Sequence, residues 1–462
     1  MTKQLNLWTN GILLGTWSLT QRGEHAFQYA DAWAASPAAR SISLSLPLTP
    51  DNAPRIGKQV LFFFDNLLPD NDDIRQRIMA KFGTDSTRPM DLLGAIGRDC
   101  AGALQFLSPG EIPGDVKTIR GTPLTPKGVE AEILASLSSS RGIAGMDSDA
   151  ADFRISIAGA QEKTALLYHD KHWQRPLGST PTTHILKLPL GLVGNMRADM
   201  RTSVENEWLC LQLFAELGLD VPESRILQFG EQKVLVVKRF DRAFMPEGWI
   251  ARLPQEDFCQ ALGISGSQKY EADGGPGMSA ILRILEHSSR AQQDKQAFLT
   301  ACVLFWMLAA TDGHGKNFSL FHERGGTYRL TPFYDILSAW PIVGNGVNKI
   351  HEKKLKMAMA IRSKSPHWRH WEIQPRHWDV MGNKHGITNA WDILATLAET
   401  IPAAIQRLQQ RLPPTFPSAL ADAIFKGVLG CVSTLRHGLT HREQAEGDAF
   451  AFSVASRGTR SF

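Results

Sequence analysis

At 462 residues the chain is long enough for two or three domains with full hydrophobic cores. Its composition, 43% hydrophobic and 21% charged, excludes a wholly disordered chain. A formal net charge of +4 is too small to argue nucleic-acid binding by itself, and five widely spaced cysteines with no CxxC pair imply neither a disulfide framework nor a zinc site.

The first residues lack a basic segment followed by an apolar core, so a secretory leader is not expected. The cysteines read as buried free thiols in a reducing compartment, and the expected location is cytoplasmic, with no membrane partner. In chain order, Leu5–Trp8 and Ile12–Trp17 flank Thr9-Asn10-Gly11, a hairpin with Asn-Gly at its turn. Ser41–Leu46 alternates Ser with Ile or Leu, as a half-buried strand does. Asp72–Phe82 carries Ile74, Ile78, Met79 and Phe82 on one helical face. Residues 1–110 thus form an N-terminal α/β unit. Segments 108–126, rich in Pro, Gly and Thr, and 137–150, rich in Ser, Gly and Asp, make 111–150 a linker.

From residue 151 to 240 the pattern is that of a small β-rich lobe. Phe153–Ile157 and Thr164–Tyr168 read as strands, His184–Leu188 as a third and the Val/Leu run Val234–Val237 as a buried fourth. Between the third and fourth, Ser203 reads as the N-cap of a helix that stops at Gly218. Residues 241–440 read as a larger helical lobe. It includes a core helix at Phe298–Thr311, shorter than the roughly 18 residues of a membrane span. A hairpin of Phe318–Phe321 and Tyr328–Leu330 interrupts the helices, and residues 441–462 read as a flexible polar tail. The fold class is α+β.

The strongest chemical signal is Thr311-Asp312-Gly313-His314-Gly315-Lys316-Asn317, which follows a hydrophobic helix and precedes a strand. Asp312 and Asn317 have the D-x-x-x-x-N spacing of a protein-kinase catalytic loop. One carboxylate accepts the proton of a substrate hydroxyl, and an amide one loop away faces a metal at the phosphates. Asp335, just after the hairpin, stands where a second Mg²⁺ ligand belongs, since Mg²⁺ takes hard oxygens and shares its shell with phosphate. Read alone, DGHGKN is also ordinary turn chemistry, and His314 is open between a ligand, a base and a histidine that packs the loop.

The segment Ser156-Ile157-Ala158-Gly159-Ala160-Gln161-Glu162-Lys163 is the candidate phosphate loop, its small residues letting backbone N–H groups approach an anion. A plain hairpin turn fits it too. Lys187 lies in an otherwise apolar strand, where an ammonium group destabilises unless it is paired; it can hold ATP phosphates or point to water from a sheet edge. Glu207, on the following helix, is its candidate partner, with Glu205 as competitor. The backbone of Lys238, Arg239 and Phe240 ends the lobe where adenine binds in a kinase. His314, Lys316, Asn317 and Tyr334 complete the ATP-binding candidates.

Several long stretches together resemble one family. They are FFDNLLPD at 63–70, RISIAGAQEK at 154–163, THILKLP around Lys187, RLPQED at 252–257, Tyr270-Glu271 with DGGPG at 273–277, ATDGH at 310–314 and LTPFYDI at 330–336. Their content and order are similar to the HipA toxins of bacterial toxin–antitoxin systems, from about residue 5 to 415. The resemblance implies a serine/threonine protein-kinase fold with an added N-terminal subdomain. It implies Asp312 as catalytic base, Asn317 and Asp335 as Mg²⁺ ligands, Lys187 on ATP, and Ser156 as a site of autophosphorylation that expels the phosphate loop. It further implies glutamyl-tRNA synthetase as protein target, growth arrest (persistence) as outcome, and a HipB-like helix-turn-helix antitoxin that carries the toxin to operator DNA. Lys238 departs from an acidic residue in the best-known member, and Gln444–Phe462 matches nothing in the family.

Residues 349–376 are locally basic, with Trp368 and Trp371 interleaved, and read either as a phosphate-contacting surface or as a solvated face. Two other functions remain open to the sequence: a catalytically silent corepressor bound to an antitoxin, and a small-molecule phosphotransferase.

Overall fold

The computed structural model of the chain describes residues 3–137, 155–156, 159, 161–194 and 197–458. The N-terminal unit is built on a five-stranded antiparallel sheet in the order Arg55–Ile56, His25–Tyr29, Ile12–Leu19, Gln4–Thr9, Leu104–Leu107. Its first hairpin turns at Asn10 (φ 47°) and Gly11 (φ 85°), two successive left-handed residues that match the twist of the flanking strands. Helices Lys58–Asp65, Asp72–Phe82 and Pro89–Ile96 accompany the sheet, and Trp17 stacks on Phe64 at 4.2 Å in their shared core. Asn71 caps the middle helix by accepting from the N–H groups of Asp73 and Ile74, and Gly83 (φ 65°) ends it.

Ser41–Leu46 forms no strand; it makes only an isolated bridge between Ser43 and Leu46. The serines that produced the alternation turn inward instead. The Ser43 and Ser45 hydroxyls both donate to the Gln260 carbonyl, and the Leu44 N–H donates to Glu256. This segment is therefore a strap between the N-terminal unit and the helical lobe.

The small lobe carries a six-stranded sheet in the order Ser224–Phe229, Gln232–Lys238, His184–Lys187, Lys163–His169, His172–Pro176, Gly121–Pro123. Its edge strand and the helix Pro126–Leu137 both come from the stretch expected to be linker. Val129 and Ile133, four residues apart, bury one face of that helix against Leu166, Leu186 and Val234. The helix Ser203–Glu216 starts one residue earlier than a Ser203 cap requires. Thr202 holds the cap position, while the Ser203 hydroxyl receives the Leu190 N–H.

The helical lobe packs Ala291–Met307 at its centre, and Phe298, Leu299, Cys302 and Phe305 lie in the largest core. The helix delivers the chain to Asp312. Beside it runs a three-stranded sheet of Gln255–Asp257, Ser319–His322 and Tyr328–Leu330. Where a flexible tail was expected, helix Ser418–Gly458 continues without a break, as its alanine-rich sequence favours. Among the described residues one stretch, Ser418–Arg442, is long and apolar enough to cross a membrane. Its Leu420, Ile424, Phe425, Val428 and Leu435 are buried in the same lobe core, which accounts for its hydropathy. All five cysteines are free and buried.

Candidate active site

A cavity of about 220 Å³ lies between the small and helical lobes, and the N-terminal unit forms part of its wall through Asn66, Leu67 and Asp70. Strand His184–Lys187 is central in its sheet, so it aims Lys187 into the cavity rather than to solvent. There Lys187 Nζ donates to Glu207 Oε1 at 2.6 Å and to Asp335 Oδ1 at 2.7 Å. The competitor Glu205 pairs with Lys233 instead. Burial alone would lower the Lys187 pKa, but the two carboxylates override it and hold the ammonium above its ordinary value. Burial also raises the Asp335 carboxyl, and Lys187 with Lys163 pulls it well below the usual range, so the pair stays ionised.

Asp335 adopts φ 59°, a left-handed conformation that only a few non-glycine residues tolerate. This conformation lets it face two elements at once: Lys187 on the sheet and, at 3.3 Å, the Asn317 amide on the loop that follows Asp312. The Asn317 carbonyl oxygen accepts the His314 N–H at 3.2 Å. A cation between Asn317 and Asp335 would require that amide turned over, so that its oxygen faces the carboxylate. With that rotation, the two residues supply hard oxygen ligands beside a cluster of ammonium groups.

Asp312 stands at the mouth with its side chain 68% exposed, as a group that must meet an incoming hydroxyl should. The Tyr270 hydroxyl donates to its carboxylate. His314 is buried, packs edge-on to Tyr270 at 5.1 Å, and is lowered by desolvation to about 4; it is a neutral packing group of the loop, 3.8 Å from Asp312. Lys163 also lines the cavity, and its burial lowers it to about 8.

At the end where adenine was expected, Lys238, Arg239 and Phe240 all line the cavity. The Lys238 N–H donates to Glu223 O and the Arg239 N–H to Thr183 O, so both are used within the protein. The Lys238 side chain pairs with Glu223 at the surface. The Arg239 guanidinium turns away from the cavity into a buried cluster with Asp99 and Asp241. Phe240 and Tyr334 also line the cavity, their rings 5.6 Å apart. Of the phosphate loop, Gly159, Gln161 and Lys163 line the cavity, whereas Ile157, Ala158 and Ala160 lie outside the described residues.

The relatives of this chain match it over both units. Residues 155–407 match the HipA-like C-terminal domain and residues 5–107 the HipA N-terminal domain. The chain belongs to the HipA family. It is 33% identical to Y4mE of Sinorhizobium fredii over 72% of this chain and 77% of that protein. It is 28% identical to the serine/threonine-protein kinase toxin HipA of Shewanella oneidensis, over 80% of this chain and 81% of the toxin. A chain from the Shewanella oneidensis complex of HipA, HipB and operator DNA has the same fold, with a TM-score of 0.75 at 24% identity, covering 94% of this chain and 99% of that one. The α+β HipA-like kinase fold expected from sequence is the fold found.

Ser156 does not face the cavity in this HipA-family structure. It is fully buried and its hydroxyl donates to Leu67 O at 2.8 Å, while Ile155–Ser156 pairs in parallel with Asp99–Cys100 of the N-terminal unit. Asp70, Lys269 and Asp257 also line the cavity, and sequence reasoning gave them no role. Asp70 and Asp257 sit inside FFDNLLPD and RLPQED, stretches that carried the resemblance without a role. Asp257 begins a helix with a capping box to Gln260, and burial raises its carboxyl to about 6.

Within the basic stretch, Arg362 is committed to Glu271 and Lys356 lies over the Trp368 ring at 5.1 Å, so part of that charge is already paired.

Proposed function

We propose that this chain is a serine/threonine protein kinase acting as the toxin of a toxin–antitoxin pair. The observation that carries the reading is the Lys187 ammonium between Glu207 and Asp335, with Asn317 on the far side of Asp335. A buried lysine with two carboxylates is stable in place and keeps its remaining donor for phosphate oxygens. ATP fits the row of Lys187, Lys163 and Lys316 in the cavity, and Mg²⁺, held by Asp335 and Asn317, would neutralise charge on the phosphates. Asp312 accepts the proton as a serine or threonine hydroxyl oxygen bonds to the γ-phosphorus. The bond from that phosphorus to the β,γ-bridging oxygen breaks, and ADP leaves.

Phosphate on Ser156 would place nearly two negative charges in a buried site that now accommodates a neutral hydroxyl, and it would remove the bond to Leu67. The Ile155–Ser156 pairing would break with it, which favours expulsion of the loop and loss of ATP binding. The likeness to a chain in the HipA, HipB and operator DNA complex supports a HipB-like antitoxin as partner, with DNA reached through it. Glutamyl-tRNA synthetase is the proposed protein target.

Incubation with γ-labelled ATP, Mg²⁺ and glutamyl-tRNA synthetase, followed by phosphosite mapping, is expected to label the synthetase and Ser156 with wild type and neither with Asp312→Ala. Label on Ser156 alone would redirect the search to another target. ATP binding without any label would favour the corepressor reading.

Tyr270 yields a smaller prediction. Its hydroxyl makes the hydrogen bond to Asp312 that a substrate hydroxyl has to make, so the two compete. Tyr270→Phe is expected to raise kcat/KM for the protein substrate by about two- to tenfold, the worth of one ordinary hydrogen bond, with ATP affinity unchanged. A fall in kcat/KM would show that the phenol assists transfer instead.

A further inference from the structure

Asp70 belongs to the N-terminal unit, yet it touches both walls of the phosphate end of the cleft. Its N–H donates to Gly159 O on the phosphate loop at 3.3 Å, beside a bridge between Pro69 and Gly159. Its carboxylate reaches the helical lobe: Oδ1 receives Lys316 Nζ at 2.7 Å and Oδ2 receives Lys269 Nζ at 3.0 Å. Lys316 also donates to Asn66 O at 3.3 Å, and its side chain is 5% exposed, so its position is set by the N-terminal unit. Lys316 immediately precedes Asn317 and follows Asp312 by four residues, so whatever holds Lys316 also holds the loop that carries both. Lys269 is tied to the same loop, since its carbonyl accepts the Gly315 N–H.

Two ammonium groups share the Asp70 carboxylate. An ammonium group has three donors, and the bonds to Asp70 do not exhaust them. A surface salt bridge would carry little weight, but these three side chains are each no more than 16% exposed.

We propose that Asp70 is a positioning residue for phosphoryl transfer: it sets Lys316 and Lys269 against the terminal phosphate of the nucleotide and registers the phosphate loop to the catalytic loop. The N-terminal unit thereby completes the active site instead of being an appendage to it. This rests on the kinase reading above.

The test uses the full chain with Asp70→Asn and Asp70→Glu. For each variant, transfer from γ-labelled ATP to protein is measured at saturating ATP. The dissociation constant for a non-hydrolysable ATP analogue with Mg²⁺ is measured by calorimetry, and the thermal midpoint is recorded. Asp70→Asn is expected to lower the transfer rate about 10²-fold, as a misplacement of about an ångström at the reacting groups does. Nucleotide affinity should stay equal or become tighter, because the two lysines lose a competing anion. Asp70→Glu, which keeps the charge, should recover most of the rate. Wild-type rate in Asp70→Asn overturns the proposal. Weaker nucleotide binding together with a lower rate and midpoint also overturns it, since that pattern belongs to a merely structural residue. A wild-type chain that binds the nucleotide but labels no protein refutes the kinase reading itself, and the proposal with it.

Discussion

Asp312→Asn is expected to lower phosphoryl transfer by about 10²–10⁴-fold, the range for removing a general base, with nucleotide affinity unchanged. The reason lies in where Asp312 stands. Its side chain is 68% exposed, its carboxylate is bonded to Tyr270, and it makes no bond to Lys163, Lys187 or Lys316 among the contacts of the described residues. On the proposed kinase reading it therefore serves the acceptor side of the cleft. The asparagine is nearly isosteric and can still receive the phenol, so the fold has no cause to change. Single-turnover transfer and calorimetric titration with nucleotide separate the two effects. A variant that keeps more than about a tenth of the wild-type rate would remove Asp312 from the role of base.

The second large effect concerns stability. Asp99 of the N-terminal unit receives Arg242 at 2.9 Å, Arg252 at 3.1 Å and Arg239 at 3.3 Å, together with the Thr182 hydroxyl at 2.6 Å. Asp241 takes Arg239 at 2.7 Å and Arg242 at 3.0 Å. Every side chain in this set is at most 8% exposed. Three guanidinium groups against two carboxylates leave an excess of buried positive charge, so losing either carboxylate leaves cations without a counter-charge. Asp99→Asn should destabilise the chain by about 3–5 kcal/mol, the cost of breaking a buried ion pair from one side. Denaturant unfolding of both proteins checks this, and a loss below about 1 kcal/mol would show that water or rearrangement relieves the cluster.

The same cluster has a pH signature. Burial would raise the Asp99 carboxyl, but the three guanidinium groups override it and hold it well below its ordinary 3.8. Asp70 behaves alike, held down to about 2 by Lys316 and Lys269 against the opposing effect of burial. A carboxyl lowered in the folded state binds fewer protons there than in the unfolded chain. Its contribution is therefore present in full above the unfolded value of 3.8 and is lost as pH falls below it. Stability of the wild type should fall as pH drops below about 4, and Asp99→Asn should flatten that dependence.

Much of the site was legible because kinase chemistry leaves short-range marks. Asp312 and Asn317 are close in sequence because one loop must present both, and an ammonium in the apolar run HILK is conspicuous where burial is expensive. Elements with strong local signals were equally readable, such as the Asn-Gly hairpin, the capped helix Asp72–Phe82 and the core helix leading to Asp312. Ser41–Leu46 misled because strand periodicity and a serine-rich strap look the same until the partner of each hydroxyl is known. Helix Pro126–Leu137 was hidden between two turn-rich segments, since two buried residues are too few to make a period.

The sequence by itself determined the fold class, the family and the chemical types at the centre of the cleft. These depend on residue identity and spacing within single loops and strands. Only the tertiary structure decided which glutamate meets Lys187, that Arg239 turns into an interface, and that Asp70 and Tyr270 belong to the site. Each of those is a pairing across 20 or more residues of chain or a choice of side-chain direction, and in the case of Asp70 and Lys316 the separation is 246 residues. Distances of that kind are set by how the units pack and by the requirement that buried charges find partners, neither of which a local stretch of sequence encodes.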